Sequence, residues 1–345
     1  MEYVYDYLVF LVQAITIVVA FLVILSALMS LGARRQHLTT GHLEVEKLND
    51  RLDGLKQRIE QAVLPPRAFK KVSKQAAKAA KKDAKQATKR AAADDEPAAK
   101  RVFALSFEGD LQASKVAQLR HEVNAVLMFA TSTDEIVVRV ESAGGMVHGY
   151  GLAASQLHRI RERGLRLVVA VDKVAASGGY LMAAVADRVI AAPFALVGSI
   201  GVVAQIPNVH RLLKKNDIDF EVITAGQYKR TMTVFGENTE EGRQKFTEEL
   251  EDVHALFQEF VHENRPSVDL AKVATGEAWY GKRAIELNLV DEITTSDEYL
   301  MRSCENADVF EVRWVEQKKP IERVLGQIEN GISQVMQLFH RGGSL

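Results

Sequence analysis

Cysteine is nearly absent from this chain of 345 residues, since Cys304 is the only one. A single thiol excludes an intramolecular disulfide, and the length allows one large or two modest domains with sizeable cores. Paired histidines at zinc-ligand spacing are also absent, and the nine histidines are scattered. We therefore predict neither a metal site nor another cofactor.

Charge is absent from residues 8–31, a run of 24 residues. As a helix this run measures roughly 36 Å, which spans a hydrocarbon core of about 30 Å. A cleavable signal peptide has a basic start and an apolar region of roughly 7–15 residues, whereas this run is longer and follows Glu2 and Asp6. A buried core helix rarely stays uncharged for so long. Residues 1–35 are thus predicted to be an uncleaved transmembrane anchor.

Net charge is almost absent from the whole chain, with 44 basic and 45 acidic side chains, yet residues 64–101 hold 12 basic and 4 acidic ones. Residues 70–101 also lack aromatic side chains, and such a stretch cannot bury a core. We interpret residues 64–100 as a linker rich in lysine and alanine. Three roles stay open for it: a solvated tether, a helix on anionic lipid, or a nonspecific nucleic-acid arm. No specific nucleic-acid partner is predicted.

Between the anchor and the linker, Leu48, Leu52, Leu55 and Ile59 fall at spacings of four, three and four. This pattern is typical of an amphipathic helix or a short coiled segment, which we assign to residues 36–63. Two successive prolines then end it.

The folded domain is predicted over residues 101–295, where apolar strands alternate with helices. Such alternation indicates an α/β fold with largely parallel crossovers. The predicted strands are 102–107, 135–140, 165–171, 188–191, 202–205 and 220–224, and the predicted helices are 111–129, 150–163, one from residue 178, 209–215, 239–263 and turns within 271–289. Residues 296–345 are predicted to be a C-terminal extension with an amphipathic helix over 321–339.

Ser177 follows a predicted strand and stands directly before Gly178 and Gly179, which open an apolar helix. At a helix N-terminus its hydroxyl lies near unsatisfied amides and the positive end of the helix dipole. The residue is a candidate nucleophile, and an ordinary N-cap serine is the alternative.

A second small-residue turn, Ser142-Ala143-Gly144-Gly145, follows another predicted strand. Two glycines let the backbone approach a ligand closely and turn its amides outward. The Gly145 and Gly178 amides are therefore candidate oxyanion donors, each of which typically supplies about 2.7–4 kcal/mol of transition-state stabilisation. A plain strand-to-helix turn is the alternative.

A candidate base for the serine is Lys229, just beyond the predicted strand 220–224. A lysine acts as a base only when it is neutral, and burial favours that form. Ser199, from a third turn bounded by glycines, can orient a neutral amine by a hydrogen bond. A solvated surface lysine is the alternative.

Two other site types find little support. None of the nine histidines, including His148, His158 and His210, sits in a small-residue turn after a strand, which argues against a Ser-His-Asp triad. Residues 276–282 match the first part of a P-loop, but Arg283 stands where Ser or Thr should hold Mg²⁺.

The segments SAGG, ASGGY, GSIG and QYKR, in this order, resemble the signal peptide peptidase A family of serine–lysine proteases. The separation of 52 residues between Ser177 and Lys229 is similar to that of the family. The anchor, the basic linker and the domain together resemble a single-domain member. The resemblance implies a ClpP/crotonase-like fold behind an N-terminal transmembrane helix. It also implies cleavage of peptides, such as signal-peptide remnants or misfolded exported polypeptides, at the bacterial inner membrane.

Residue by residue, the resemblance implies that Ser177 is the nucleophile and Lys229 the general base. Ser199 would position the lysine, and the amides of Gly145 and Gly178 would form the oxyanion hole. The implied partners are peptide substrates, the lipid bilayer and further copies of the chain. In the implied oligomer, the active site is shared between protomers, so that Ser177 and Lys229 of one isolated chain lie beyond hydrogen-bond reach.

Two features depart from the family. Its members usually have proline where this chain has Ala143, and proline would fix φ before the two glycines. Alanine therefore leaves the turn more flexible. Arg34 and Arg35 follow the predicted anchor, so the positive-inside rule places the domain in the cytoplasm, whereas the best-known family members act outside it. The side of the membrane stays open.

Two further classes of function remain as alternatives. One is an acyl-CoA-binding enzyme on the same fold, which holds thioester oxyanions and needs no serine–lysine pair. The other is a non-catalytic membrane scaffold built on the coiled segment and the C-terminal helix.

Overall fold

The computed structural model describes residues 41–91 and 100–316, together with Thr16. Apart from that threonine, the predicted anchor lies outside the described residues, as does the predicted C-terminal helix over 321–339. Within the described ranges, no helix is both long enough and apolar enough to cross a membrane. Residues 43–314 form one compact unit, and the described residues 41–42 and 315–316 belong to a second.

Ten strands and ten helices make up the described part of the chain. The strands are β1 (Gly41–Lys47), β2 (Arg101–Glu108), β3 (Glu135–Glu141), β4 (Arg166–Val171), β5 (Val174–Ala176), β6 (Arg188–Ala191), β7 (Leu196–Gly198), β8 (Ala278–Tyr280), β9 (Glu292–Ile293) and β10 (Asp308–Glu316). The helices are α1 (Leu48–Val63), α2 (Pro66–Ala91), α3 (Val116–Phe129), α4 (Val147–Glu162), α5 (Gly178–Ala184), α6 (His210–Lys215), α7 (Glu240–Asn264), α8 (Leu270–Val273), α9 (Gly281–Ala284) and α10 (Ser296–Cys304).

Seven strands form the main sheet, in the order β1-β10-β2-β3-β4-β6-β9. Every neighbouring pair from β10 to β9 is parallel. The predicted α/β class with parallel crossovers is therefore confirmed. A second sheet of three short strands has the order β5-β7-β8, in which β5 and β7 are parallel and β8 is antiparallel to β7.

Alternation along the central strands sorts their side chains onto two hydrophobic cores. Successive side chains of a strand point to opposite faces of the sheet. The larger core lies on the face covered by α3, α4 and α5 and takes Leu105 and Val138, whereas the smaller core on the other face takes Ala104 and Val137. Strands buried on both faces explain why their sequences read as continuous apolar runs.

Four predicted strands, 102–107, 135–140, 165–171 and 188–191, are confirmed as β2, β3, β4 and β6. The predicted strands 202–205 and 220–224 are wrong, because both segments are irregular. Their β-branched residues are solvated, with Val203 80% and Ile223 91% exposed. Strand propensity reflects packing against neighbours, and neither segment appears in the strand pairings of the described chain.

The helix predicted from residue 111 begins only at Val116. The carboxylate of Asp110 accepts hydrogen bonds from the amide and the hydroxyl of Ser114, which holds the preceding residues in a turn. The helix predicted over 239–263 is confirmed as α7, and the side chain of Thr239 caps it by accepting from the Gly242 amide. The lysine-rich linker includes helix α2, which begins at Pro66, a favoured position for proline.

Strand β10 falls in the predicted C-terminal extension and pairs with β2, the first strand of the predicted domain. Its Glu311 side chain is only 4% exposed and accepts hydrogen bonds from Arg51 at 2.8 Å and from Arg139 at 2.9 Å. Burial alone would raise the pKa of this carboxyl, but the hydrogen bonds and charges of the two arginines outweigh it and lower the pKa below its usual range.

Replacing the Glu311 carboxylate tests whether its ion pairs with Arg51 and Arg139 stabilise the folded chain at β10. We expect Glu311→Gln to lower the free energy of unfolding by about 1–3 kcal/mol at pH 7. Because the folded-state pKa is lowered, this contribution is complete above the unfolded pKa of about 4.3 and disappears as the pH falls further. Urea unfolding of both proteins at several pH values measures it. Glu248→Gln, in an exposed pair with Lys245, is the matched control, and an equal effect in both variants would contradict the expectation.

Candidate active site

Strand β5 and helix α5 hold Ser177 between them in an unusual backbone conformation. Its φ is 51° and its ψ is −119°, a region that residues with a side chain rarely adopt. The Ser177 amide donates to the carbonyl of Gly198 at 2.8 Å, and its own carbonyl accepts from the Leu181 amide at 2.9 Å. Strain of this kind persists only where the surroundings fix the backbone, and it concentrates at functional sites.

The Ser177 hydroxyl does not cap the helix that follows it. No capping hydrogen bond comes from this side chain, and its Oγ has no hydrogen-bond partner among residues 41–91 and 100–316. The side chain is also partly exposed. Ser177 therefore occupies the N-cap position of α5 without the side-chain hydrogen bond of an ordinary N-cap serine, and its hydroxyl is not engaged by the helix.

The turn formed by residues 142–145 lies directly against Ser177. A Cβ built on Gly144 would stand 2.7 Å from the Ser177 Cβ and 2.9 Å from the Gly178 nitrogen, and the φ of Gly144 is +93°. Only glycine meets both conditions without strain. From the sequence, Gly144 is named as one of the two glycines of this turn but an oxyanion donor is predicted only for Gly145, because the contact between Gly144 and Ser177 is a tertiary one.

Two backbone amides beside the serine lack an acceptor. Gly178 is the first residue of α5, where the amide has no partner within the helix. The Gly145 amide also has none in the described part of the chain, and a Cβ on this glycine would collide with the Leu111 carbonyl. The structure thus brings together Ser177, Gly178 and the turn that carries Gly145. Free amides next to a hydroxyl can stabilise an oxyanion that forms there.

Ser142 and Tyr150 stabilise the turn of residues 142–145 by side-chain hydrogen bonds. Neither side chain was assigned to the site from the sequence. The Ser142 Oγ accepts from the Gly144 amide at 3.0 Å and lies 2.5 Å from the Tyr150 hydroxyl. Tyr150 reads in the sequence as an ordinary core residue of α4, so no sequence signal marks it.

Ser199 lies close to the serine through the backbone, but its hydroxyl is engaged elsewhere. The preceding residue, Gly198, supplies the carbonyl that accepts from the Ser177 amide. The Ser199 hydroxyl donates to the Gly276 carbonyl at 3.3 Å. The rejected P-loop segment thus forms the turn before β8, next to Ser199.

Lys229 is exposed in an irregular segment. Its amide donates to the Gly226 carbonyl at 3.2 Å, and within the described ranges no hydrogen bond or ion pair joins its side chain to another residue. In a single chain the structure does not bring Lys229 to Ser177 or to Ser199. Of the other predicted site residues, Gly178 is adjacent to Ser177, Gly145 belongs to the turn that packs against it, and Ser199 follows the residue whose carbonyl accepts from the Ser177 amide.

Comparison with known proteins identifies the family of this chain. Residues 2–157 match the family model "Peptidase family S49 N-terminal", and residues 159–309 match "Peptidase family S49". The chain belongs to peptidase family S49 and is a peptidase by class. The family resemblance found in the four segments is confirmed.

Particular relatives carry the name SohB. The chain is 54% identical over 240 residues to the probable protease SohB of Haemophilus influenzae, which covers 70% of this chain and 67% of that protein. It is 42% identical over 304 residues to the probable protease SohB of Buchnera aphidicola subsp. Schlechtendalia chinensis, over 87% of this chain and 99% of that protein. A solved membrane-bound stomatin-specific protease is 11% identical to this chain over 60% of this chain and 86% of its own. The TM-score of 0.39 is too low to support a shared fold.

Gly144 offers a direct test of the close contact with Ser177. We expect Gly144→Ala to lower kcat for peptide cleavage about 100-fold, the size typical of losing one oxyanion donor, because the new Cβ displaces either the serine or the turn. Steady-state kinetics with a fluorogenic peptide measures the change. Gly151→Ala is the control, since a Cβ at this helical glycine would meet no atom within 4 Å other than its chain neighbours and the backbone of its own helix. Wild-type kcat in Gly144→Ala would contradict the assignment.

Proposed function

We propose that this protein is a membrane-anchored serine endopeptidase with a serine–lysine dyad, formed by Ser177 and Lys229. The observation that carries the proposal is the unbonded hydroxyl of Ser177, held at positive φ beside the turn of residues 142–145 and the free amide of Gly178. Membership of peptidase family S49 supports hydrolysis of peptides over the acyl-CoA and scaffold alternatives.

The proposed reaction uses only groups of the chain and water. The Ser177 Oγ attacks the scissile carbonyl carbon while a neutral Lys229 amine takes the hydroxyl proton. The oxyanion that forms accepts hydrogen bonds from the Gly145 and Gly178 amides. The Lys229 ammonium then gives the proton to the leaving amine as the peptide C–N bond breaks, which leaves an ester on Ser177. The neutral Lys229 amine next takes a proton from water, which attacks the ester, and the proton passes to the Ser177 Oγ as the ester C–O bond breaks.

The base is proposed to come from a neighbouring copy of the chain. Lys229 makes no hydrogen bond with Ser177 within one chain, and residues 201–235, which include it, expose large apolar side chains such as Val203, Leu212 and Ile223. Exposed apolar surface of this kind is one mark of a protein interface. A second copy that covered this segment would also remove water from the amine, and desolvation favours its neutral form.

The remaining parts of the proposal concern fold type, location and substrates. A parallel main sheet, with a small second sheet whose strand β5 leads into Ser177, supports a ClpP/crotonase-like fold. The uncharged run over residues 8–31 supports a single-pass anchor in the bacterial inner membrane. Peptides left at or near that membrane, such as signal-peptide remnants or misfolded exported polypeptides, are the proposed substrates.

Removal of each dyad member tests the mechanism. We expect Ser177→Ala and Lys229→Ala each to lower kcat by about 10⁴-fold or more, because a dyad acts as a unit. Arg230→Ala, a neighbouring exposed cation, should keep wild-type kinetics. Labelling by a fluorophosphonate should be lost in Ser177→Ala and strongly slowed in Lys229→Ala. Full cleavage by either variant would reject the dyad.

Mixing the two inactive variants tests whether the site is shared. If Ser177 and Lys229 come from different protomers, random co-assembly of equal amounts restores about one quarter of the wild-type sites. The two proteins are mixed under conditions that allow subunit exchange, and peptide cleavage is followed over time. A site contained in one chain would give no recovery of activity and would contradict the proposal. A wild-type protein that sediments as a monomer would contradict it as well.

A further inference from the structure

A chain of buried hydrogen bonds runs beneath the proposed oxyanion hole. The Tyr150 hydroxyl donates to the Asp110 carbonyl at 2.8 Å, so its oxygen accepts from the Ser142 hydroxyl at 2.5 Å. The Ser142 oxygen in turn accepts from the Gly144 amide at 3.0 Å. Tyr150 is 0% exposed and Ser142 2% exposed. Three fully oriented bonds therefore fix the position of the turn relative to α4.

The ring of the same tyrosine lies against the opposite wall of the site. A Cβ on Gly178 would stand 2.7 Å from the Tyr150 Cβ and 2.8 Å from its Cδ2, and it would overlap the Cγ. Gly178 carries the second proposed oxyanion donor. One side chain thus contacts Gly178 directly and reaches the turn through Ser142.

The surroundings keep this tyrosine in one place and in one protonation state. A Cβ at position 109 would stand 2.5 Å from the Ser142 oxygen. Because residue 109 is glycine, the Ser142 and Tyr150 hydroxyls can lie next to its backbone. The Tyr150 ring also meets Phe107 edge to face at 6.2 Å. Burial raises the pKa of the phenol, which keeps it a hydrogen-bond donor.

We propose that Tyr150 is a positioning residue that sets the separation of the two oxyanion donors, Gly145 and Gly178. It touches neither substrate nor the reacting atoms, and it acts through Ser142 on one side and through its ring on the other. The inference rests on the proposed function, because it gives these two amides a task in the reaction.

Backbone hydrogen bonds hold the two ends of the turn, at Ser142 and at Met146, but in the described part of the chain no other side-chain hydrogen bond restrains residues 142–145. Ala143 is exposed, its amide has no acceptor in the described part of the chain, and it stands where a proline would have fixed φ. The hydrogen bonds through Ser142 and Tyr150 therefore supply the rigidity that this residue does not.

Tyr150→Phe removes the hydroxyl and leaves the ring in place. We expect kcat to fall about tenfold, a fraction of the effect of deleting an oxyanion donor, with KM within about twofold. Hydrogen exchange over residues 142–146 should become faster. Tyr180→Phe is the matched control, because Tyr180 is also 0% exposed and its hydroxyl donates to a backbone carbonyl, that of Leu289, at 3.0 Å. A purely structural loss would appear equally in both variants.

A proline rescue separates positioning from simple destabilisation. Adding Ala143→Pro to Tyr150→Phe should recover most of kcat, because proline fixes the turn without removing a hydrogen bond. The residue before it, Ser142, is paired in an extended bridge with Ala175, which suits the position preceding proline. If Tyr150→Phe does not fold, Ser142→Ala breaks the same chain and must reproduce the loss.

The outcomes distinguish this inference from the proposed function. Equal kcat and equal exchange in Tyr150→Phe and Tyr180→Phe, with an inactive Ser177→Ala, would overturn the positioning role alone. Wild-type cleavage no faster than that of Ser177→Ala would overturn the proposed function. In that case unchanged hydrogen exchange of the turn in Tyr150→Phe would overturn the positioning role as well, whereas faster exchange would support it.

Discussion

The close approach of two turns is the constraint on which the rest of the site depends. Residues 142–145 and 177–179 pack so tightly that no side chain fits at Gly144, Gly178 or Gly179, whose Cβ positions are occupied by atoms of Ser177, Tyr150 and Ser142 respectively. Strand β3 ends in the first turn and β5 in the second, and a backbone bridge between Ser142 and Ala175 ties them together. The parallel main sheet and the small second sheet therefore meet at the one place where chemistry is proposed.

This constraint explains why a strained serine is stable. The amide of Ser177 bonds to the carbonyl of Gly198 in the second sheet, while its carbonyl starts helix α5. Both ends of the residue are fixed by buried structure, so the cost of a positive φ, on the order of 1–3 kcal/mol, is offset by packing that forms only in this conformation. The Ser177 hydroxyl has no partner because the backbone of Ser177, and not its side chain, makes the hydrogen bonds at the start of α5.

Sequence reasoning reached those parts of the fold and site that local patterns determine. Apolar runs buried on both faces, such as 135–140, identified the central strands, and the glycine pairs after Ser142 and Ser177 identified the two turns. The strand predictions at 202–205 and 220–224 were wrong because burial, which comes from tertiary or quaternary contacts, decides whether β-branched residues pair. Strands as short as β5, β7 and β8 carry too few residues for a period. Tyr150 was missed since its part depends on contacts with Ser142 and Gly178, and no spacing in the sequence encodes them.

The two halves of the proposed dyad differ in how far one chain completes them. The serine half needs fixed amides and a strained turn, which a folded core supplies, and here Gly178 and Tyr150 are buried and Ser177 is half-buried. The lysine half needs desolvation, yet Lys229 stands in an irregular, exposed segment with apolar side chains such as Ile223 in water. A core cannot desolvate a residue that does not pack on it, so the proposed mechanism assigns this desolvation to a second copy of the chain. On this view assembly supplies the base to a nucleophile that is already positioned, and an unassembled chain carries a serine that does not cleave nearby peptides. The proposed mechanism would then couple activity to oligomer formation through the solvation of the Lys229 amine.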